Sequence, residues 1–419
     1  MMSKQNVPEL RFPEFSGAFK EYSLDDLVKV IDCLHSTAPI SSENTNYKMI
    51  RTGNVRNGNL IVSTMDSVKK KVYEKWSSKG YLEPKDIILT REAPMGEVAI
   101  IPQNSNYKFF LGQRCLQLKV RDNFIDSEYM YLLLQGKKFE KYIRPLKFSG
   151  STVSNIRIPE LKSFKFLIPE LNEQVKVKEI LLKLNRLIEL EEKKLELLEE
   201  QKKGYMQKIF SQELRFKDEN GNDYPEWEEK NLEDMGVTYT GLSGKTKENF
   251  GVGDAQFITY KNVFDYLFAD VRGIQQVEIK EDEKQSSVRK NDILFTTSSE
   301  TPEEVGMASI WSYETSNTYL NSFCFGYRLE DYEVSAEFLA ISLRQEYMRR
   351  KITLLGQGST RFNLSKREVM KLSVFIPCLQ EQFKITDLYK KMMYRIDMKK
   401  EKINSLKRRK EGLLQNLFI

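Results

Sequence analysis

The chain has 419 residues, 40% of them hydrophobic and 30% charged, which is enough apolar material for two or more cores. Its 66 Lys and Arg against 60 Asp and Glu leave a net charge of only +6, so any basic surface must come from distribution and not from total charge. One histidine, His35, and four scattered cysteines without a Cys-x-x-Cys pair exclude histidine-rich metal sites and ordinary zinc ribbons.

The opening MMSKQNVPEL has no apolar centre of signal-peptide type. No run approaches the ~18 apolar residues of a membrane span. The expectation is a cytoplasmic chain with reduced thiols and no membrane contact.

Residues 1–170 read as a β-rich globule. Short apolar runs such as Asp86–Thr90, Val98–Ile101 and Phe164–Ile168 are cut by Gly, Pro, Asn and Ser, and a helix is predicted over Tyr129–Tyr142. Past Pro169 the period changes. Val177, Leu181, Leu184, Ile188, Glu191, Leu195, Leu198, Lys202, Tyr205 and Ile209 alternate in steps of four and three, the seam of a coiled-coil helix over 171–212.

The pattern then starts again. Glu9-Leu-Arg-Phe12 returns as Glu213-Leu-Arg-Phe216, Asp86-Ile-Ile-Leu-Thr90 as Asp292-Ile-Leu-Phe-Thr296, and Gly96 as Gly306. Gly150-Ser-Thr152 returns as Gly358-Ser-Thr360, Ile168-Pro169 as Ile376-Pro377, and Glu173-Gln174 as Glu381-Gln382. Matches that stay in order over so long a distance mean two tandem copies. The second comprises a globule at 213–378 and a helix at 379–419. Its seam is Ile385, Tyr389, Met392, Ile396, Lys399, Ile403, Leu406, Lys410, Leu413 and Leu417.

The helices differ in charge. Residues 187–201 carry six Glu and two Lys, whereas 395–409 carry seven basic residues against Asp397 and Glu401. Opposite signs favour pairing of the two helices with each other. The fold expected is therefore α+β: two repeated globular domains and two long helices forming an antiparallel coiled coil with pseudo-two-fold symmetry. A helix of ~39 residues at ~1.5 Å each spans roughly 58 Å, or some 17 base pairs of duplex.

This ordered set resembles the specificity subunit of type I restriction–modification enzymes over nearly the whole chain. The resemblance is carried by Leu10-Arg11-Phe12 with Phe19, Leu214-Arg215-Phe216 with Trp227, the Asp-Ile-Leu-Thr strands, the Gly-Ser-Thr turns, the Ile-Pro and Glu-Gln helix starts, and the heptads. It implies that each globule is a target recognition domain reading one half of an asymmetric, two-part double-stranded DNA sequence, with the helices fixing the unread gap. It also implies a non-catalytic chain. Its implied partners are two modification (methyltransferase) subunits that use S-adenosylmethionine to methylate adenine, and restriction (translocase and nuclease) subunits driven by ATP and Mg²⁺.

Polar side chains where the copies diverge are candidates for DNA contact, because Arg, Lys, Asn, Gln, Ser and Thr read base edges. These are Arg51, Asn54, Arg56, Thr90 and Arg91 in the first copy. In the second they are Thr259, Lys261, Asn262, Thr296, Thr297, Ser298 and Ser299. The turns add Ser151, Thr152, Ser359, Thr360 and Arg361, which suit phosphate contact or turn chemistry alike. Asn54 and Asn262 occur in both copies, which favours a structural or backbone-contact role.

No catalytic or metal-binding residue is assigned. Gly241-Leu-Ser-Gly-Lys-Thr246 has two residues between its glycines where a phosphate loop has four. Asp270 with Glu278 and Lys280 has no counterpart in the first copy, and His35 beside Cys33 lacks a third member. Two alternatives stay open on the residues alone: a stand-alone Mg²⁺-dependent nuclease, and a coiled-coil protein scaffold that does not bind DNA.

Overall fold

A computed structural model describes residues 7–121, 124–147 and 155–418. The chain folds as two compact units, one of residues 1–193 with 400–419 and the other of 194–399. Each unit takes one globule and a stretch of both long helices, Leu171–Phe210 and Leu379–Asn416.

The first unit is organised by a four-stranded antiparallel sheet in the order Val28–Asp32, Cys115–Val120, Ile87–Thr90, Val98–Ile100. Side chains alternate between its faces. Ile87, Leu89, Leu116 and Leu118 enter the large core beneath the helices, while Ile88 and Cys115 enter a second, smaller core. Both faces are covered, which is why these strands read as unbroken apolar runs. The second unit repeats the sheet as Gly236–Thr240, Cys324–Leu329, Ile293–Thr296, Ala308–Ile310. Here Ile293 and Phe295 face one core and Leu294 and Cys324 the other.

A smaller three-stranded sheet flanks each main sheet. In the first unit Tyr47–Ile50 lies between Asp66–Ser67 and Lys108–Leu111; in the second, Phe250–Ile258 lies between Ile274–Val277 and Thr318–Leu320. The helix expected over Tyr129–Tyr142 is two helices, Ser127–Leu133 and Lys137–Lys147. They part at Gly136, whose N–H turns back to the Leu133 carbonyl and where a Cβ would lie 3.0 Å from that oxygen. The second unit has the same break between Ala336–Leu343 and Glu346–Leu354.

The repeated motifs prove to be buried joints. Arg11 meets Glu173 at two points, Nε to Oε1 at 2.9 Å and Nη2 to Oε2 at 2.7 Å, and Arg215 meets Glu381 in the same way. Gln174 accepts from the Asp126 N–H and donates to the carbonyls of Phe124 and Pro169. Gln382 does the same for Ser335, Glu333 and Pro377. Buried polar groups need such partners, so both copies keep these residues.

The long helices run antiparallel within each unit. In the first, Glu191 bonds Lys402 at 3.1 Å and Glu192 bonds Lys407 at 2.6 Å, while Val177 and Leu181, earlier in the chain, share a core with Leu414 and Leu417, later in it. In the second, Met206 and Ile209 share a core with Ile385 and Tyr389. The charge complementarity is thus realised as ion pairs. Two expected seam positions shift by one residue. Met206, not Tyr205, and Leu414 more fully than Leu413 are buried, because the last helical turns pack on a globule as well as on the partner helix. Phe418 meets Tyr129 edge-on and Phe210 stacks on Phe338. Each globule is therefore closed by the end of the helix belonging to the other repeat.

Candidate nucleic-acid interface

Four loops meet at one end of the main sheet in each unit, and backbone hydrogen bonds fix them in the same way. In the second unit Asn321 N–H donates to Ile258, Thr297 N–H to Phe323, and Leu364 N–H to Thr297. In the first, Gly112 donates to Ile50, Arg91 to Arg114, and Ile156 to Arg91. The equivalence of these three bonds aligns the loops residue by residue.

In the second unit the cluster holds most of the sequence-predicted residues. Thr259 caps the helix Tyr260–Asp265 by accepting from Asn262 N–H at 3.2 Å, and Lys261 is exposed on that helix. Thr297 donates to the Phe323 carbonyl at 2.8 Å, and Tyr260 donates to the Ser298 carbonyl at 2.6 Å. Burial raises the Tyr260 phenol pKa, so it remains a donor. Ser359, Thr360 and Arg361 are exposed, and the Arg361 guanidinium lies 5.2 Å from the centre of the Phe323 ring.

Arg344 anchors this helix from below, donating to the carbonyls of Ala308, Val263, Phe264 and Tyr266. Its burial pushes the guanidinium down to about 10. It was not among the sequence candidates, and its partners are backbone atoms that no side-chain motif announces.

The first unit fills the same frame with arginines. Arg51 pairs with Asp66 at 3.0 Å and stays half exposed; Arg56 donates to the carbonyls of Thr52 and Val55. Arg91 donates to Ile156 O and reaches Asp32 at 3.3 Å. Ser151 and Thr152 lie outside the described residues.

Several candidates prove to be structural. Thr90 is fully buried, donating to Pro94 O and accepting from Glu97 N–H, and Thr296 is equally buried and accepts from Met307 N–H. Asn54 bridges Arg51 N–H and Thr64, and Asn262 bridges the N–H and carbonyl of Asp270. Ser298 and Ser299 are buried; the former pairs with Asn363 along a short ladder and the latter bonds Glu304. These residues shape the loops and leave the exposed positions to their neighbours.

The other sequence features resolve simply. Lys245, in the Gly241–Thr246 segment, pairs with Glu283, and Asp270 is held by Arg272, whose guanidinium depresses its pKa through hydrogen bonds. His35 and Cys33 do have a third member, which corrects the sequence expectation. Asp32 Oδ2 is 3.0 Å from His35 Nε2, and the three ligand atoms lie within 4.8 Å of one another. The Arg91 guanidinium already neutralises that carboxylate, and burial pushes the Cys33 thiol pKa up, away from the thiolate a metal would need.

A family model described as "Type I restriction modification DNA specificity domain" matches residues 17–200 and again 224–408. The chain belongs to this type I DNA specificity family. A provisionally named type I restriction enzyme MjaX specificity subunit of Methanocaldococcus jannaschii is 22% identical, the match covering 99% of this chain and 96% of that one. Among solved structures, the S subunit of a type I restriction–modification system from M. genitalium is 18% identical, covers 99% of both chains and has a TM-score of 0.59. A chain from a structural study of type I system assembly and conformational transition is 14% identical with a TM-score of 0.57, covering 94% of this chain and 96% of its own. Such likeness shows a shared fold.

Within the specificity family fold, the turn residues Arg114 and Phe323 are cluster positions that sequence reading passed over. Each directly precedes a main-sheet strand and carries an exposed side chain. They differ in type, so no shared motif flags them. No helix among the described residues is long and apolar enough to cross a membrane.

Proposed function

We propose that the two loop clusters are the DNA-reading surfaces of this specificity subunit, each reading one half of an asymmetric two-part target. The observation that carries this is one loop frame, fixed by equivalent backbone bonds, filled with arginines in one unit and with Lys261, Phe323 and Arg361 in the other. A shared frame gives both halves the same docking geometry, and different side chains give each a different base preference.

The paired helices set the unread gap. The chain itself is non-catalytic and cytoplasmic. Two modification subunits supply S-adenosylmethionine-dependent adenine methylation, and restriction subunits supply ATP- and Mg²⁺-dependent translocation and cleavage. Exposed apolar residues on the long helices, Leu187, Leu190, Leu197, Tyr205, Tyr394 and Met398, suit partner docking.

Salt titration of the assembled complex on duplex DNA tests the reading. Phosphate neutralisation predicts affinity falling steeply and linearly in log–log form, and a surviving preference for one bipartite sequence. Salt-insensitive or absent DNA binding would favour the scaffold alternative. Mg²⁺-dependent cleavage by the purified chain alone would favour the nuclease.

A further inference from the structure

The turn before the second strand of each main sheet holds Gln113-Arg114 in one unit and Ser322-Phe323 in the other. The carbonyls of Arg114 and Phe323 accept the equivalent N–H groups of Arg91 and Thr297, so the two residues occupy one structural position. Neither side chain serves a core. Arg114 is 60% exposed and Phe323 is 50% exposed.

Arg114 has φ of +70°, a left-handed conformation that costs a side chain with a Cβ free energy and is ordinarily given to glycine. Its guanidinium is held out by Glu92, Nε to Oε2 at 2.9 Å, on the surface beside Arg91. A strained backbone that presents a long cationic fork to solvent is a reason to look for a ligand. Phe323 is an exposed aromatic ring with a cation, Arg361, over it. Burying neither, the fold keeps both in the middle of the proposed reading surface.

We propose that this position is a specificity determinant, reading a purine with paired acceptors through Arg114 and a methyl-bearing pyrimidine through Phe323. The inference rests on the DNA-reading role proposed above. A planar fork matches the O6 and N7 acceptors of guanine, whereas an apolar ring braced by Arg361 suits the thymine methyl group. Glu92 sets a threshold, because its ion pair with Arg114 must be exchanged for base contact.

The test is methylation mapping on a randomised duplex library with the complex assembled from this chain and its modification subunits. The variants are R114A, R114G, which suits the φ of that residue and so preserves the turn, and F323A. R114A and R114G are expected to relax one guanine in one half-site, lowering discrimination there roughly 5- to 100-fold, with the other half-site unchanged. F323A is expected to relax one thymine in the opposite half-site. Unaltered discrimination in R114G, or loss confined to a base other than guanine, overturns the assignment for Arg114. Unaltered discrimination in F323A overturns it for Phe323. A wild-type complex without a bipartite preference would sink the underlying reading instead, which keeps the two failures distinct.

Discussion

Arg11 and Glu173 are 162 residues apart in sequence and form a two-point ion pair that ties the start of the first globule to the start of the long helix. Glu173 is almost wholly buried, and the hydrogen bond to it raises the Arg11 pKa. Arg215 and Glu381 repeat the joint, with the Trp227 indole N–H as a further donor to Glu381. Removing the arginine would strand a buried carboxylate. R11A is expected to destabilise the first unit by about 3 kcal/mol, and R215A the second similarly. Denaturant unfolding checks this, and a loss below about 1 kcal/mol would contradict the joint.

The helix pair carries its own test. Glu191 is buried and bonds Lys402, while Glu192 bonds Lys407. E191K places like charges together and is expected to lower the melting temperature. E191K with K402E should recover part of the loss, giving a coupling energy of about 1 kcal/mol in a double-mutant cycle. Zero coupling would show that the charge pattern does not help pair the helices.

A pH dependence follows from Asp86. Its carboxylate accepts from Glu83 N–H and from Gln117, but burial dominates and raises its pKa. The folded state then holds its proton to higher pH than the unfolded chain does. The contribution of this group is fully present below the ordinary aspartate pKa and is lost as pH rises through the raised value. D86N should therefore flatten stability against pH on the acid side of neutrality, read by thermal melts across that range. An unchanged profile would contradict the burial effect.

At the end of the first long helix, Met206 is buried against the second globule while Tyr205 is 39% exposed. M206A should cost about 2–5 kcal/mol through a cavity. Y205A should cost well under 1 kcal/mol in the free chain. Thermal melts of both variants decide this, and equal losses would contradict the shifted seam.

The doubled architecture was legible because its buried joints constrain the same residues in both copies, as Arg11, Glu173 and Gln174 illustrate. The helix pairing was legible because complementary charge recurs along a long periodic seam. What the sequence hid was tertiary. Thr90 and Thr296 carry hydroxyls fit for base contact, yet the sheet buries them and spends them on backbone. Arg114 and Phe323 escaped because backbone bonds from Arg91 and Thr297 bring their turns to the loop cluster, and no sequence motif marks such bonds. The break at Gly136 and the shift from Tyr205 to Met206 depend on which surface each helix meets, which periodicity alone does not encode.

The most direct measurement exchanges residues 1–170 for those of a divergent family member and maps methylated adenines in the assembled complex. The account predicts that one half of the target changes while the other half and the gap are kept. Retention of both original halves, with the exchanged complex active, would contradict it.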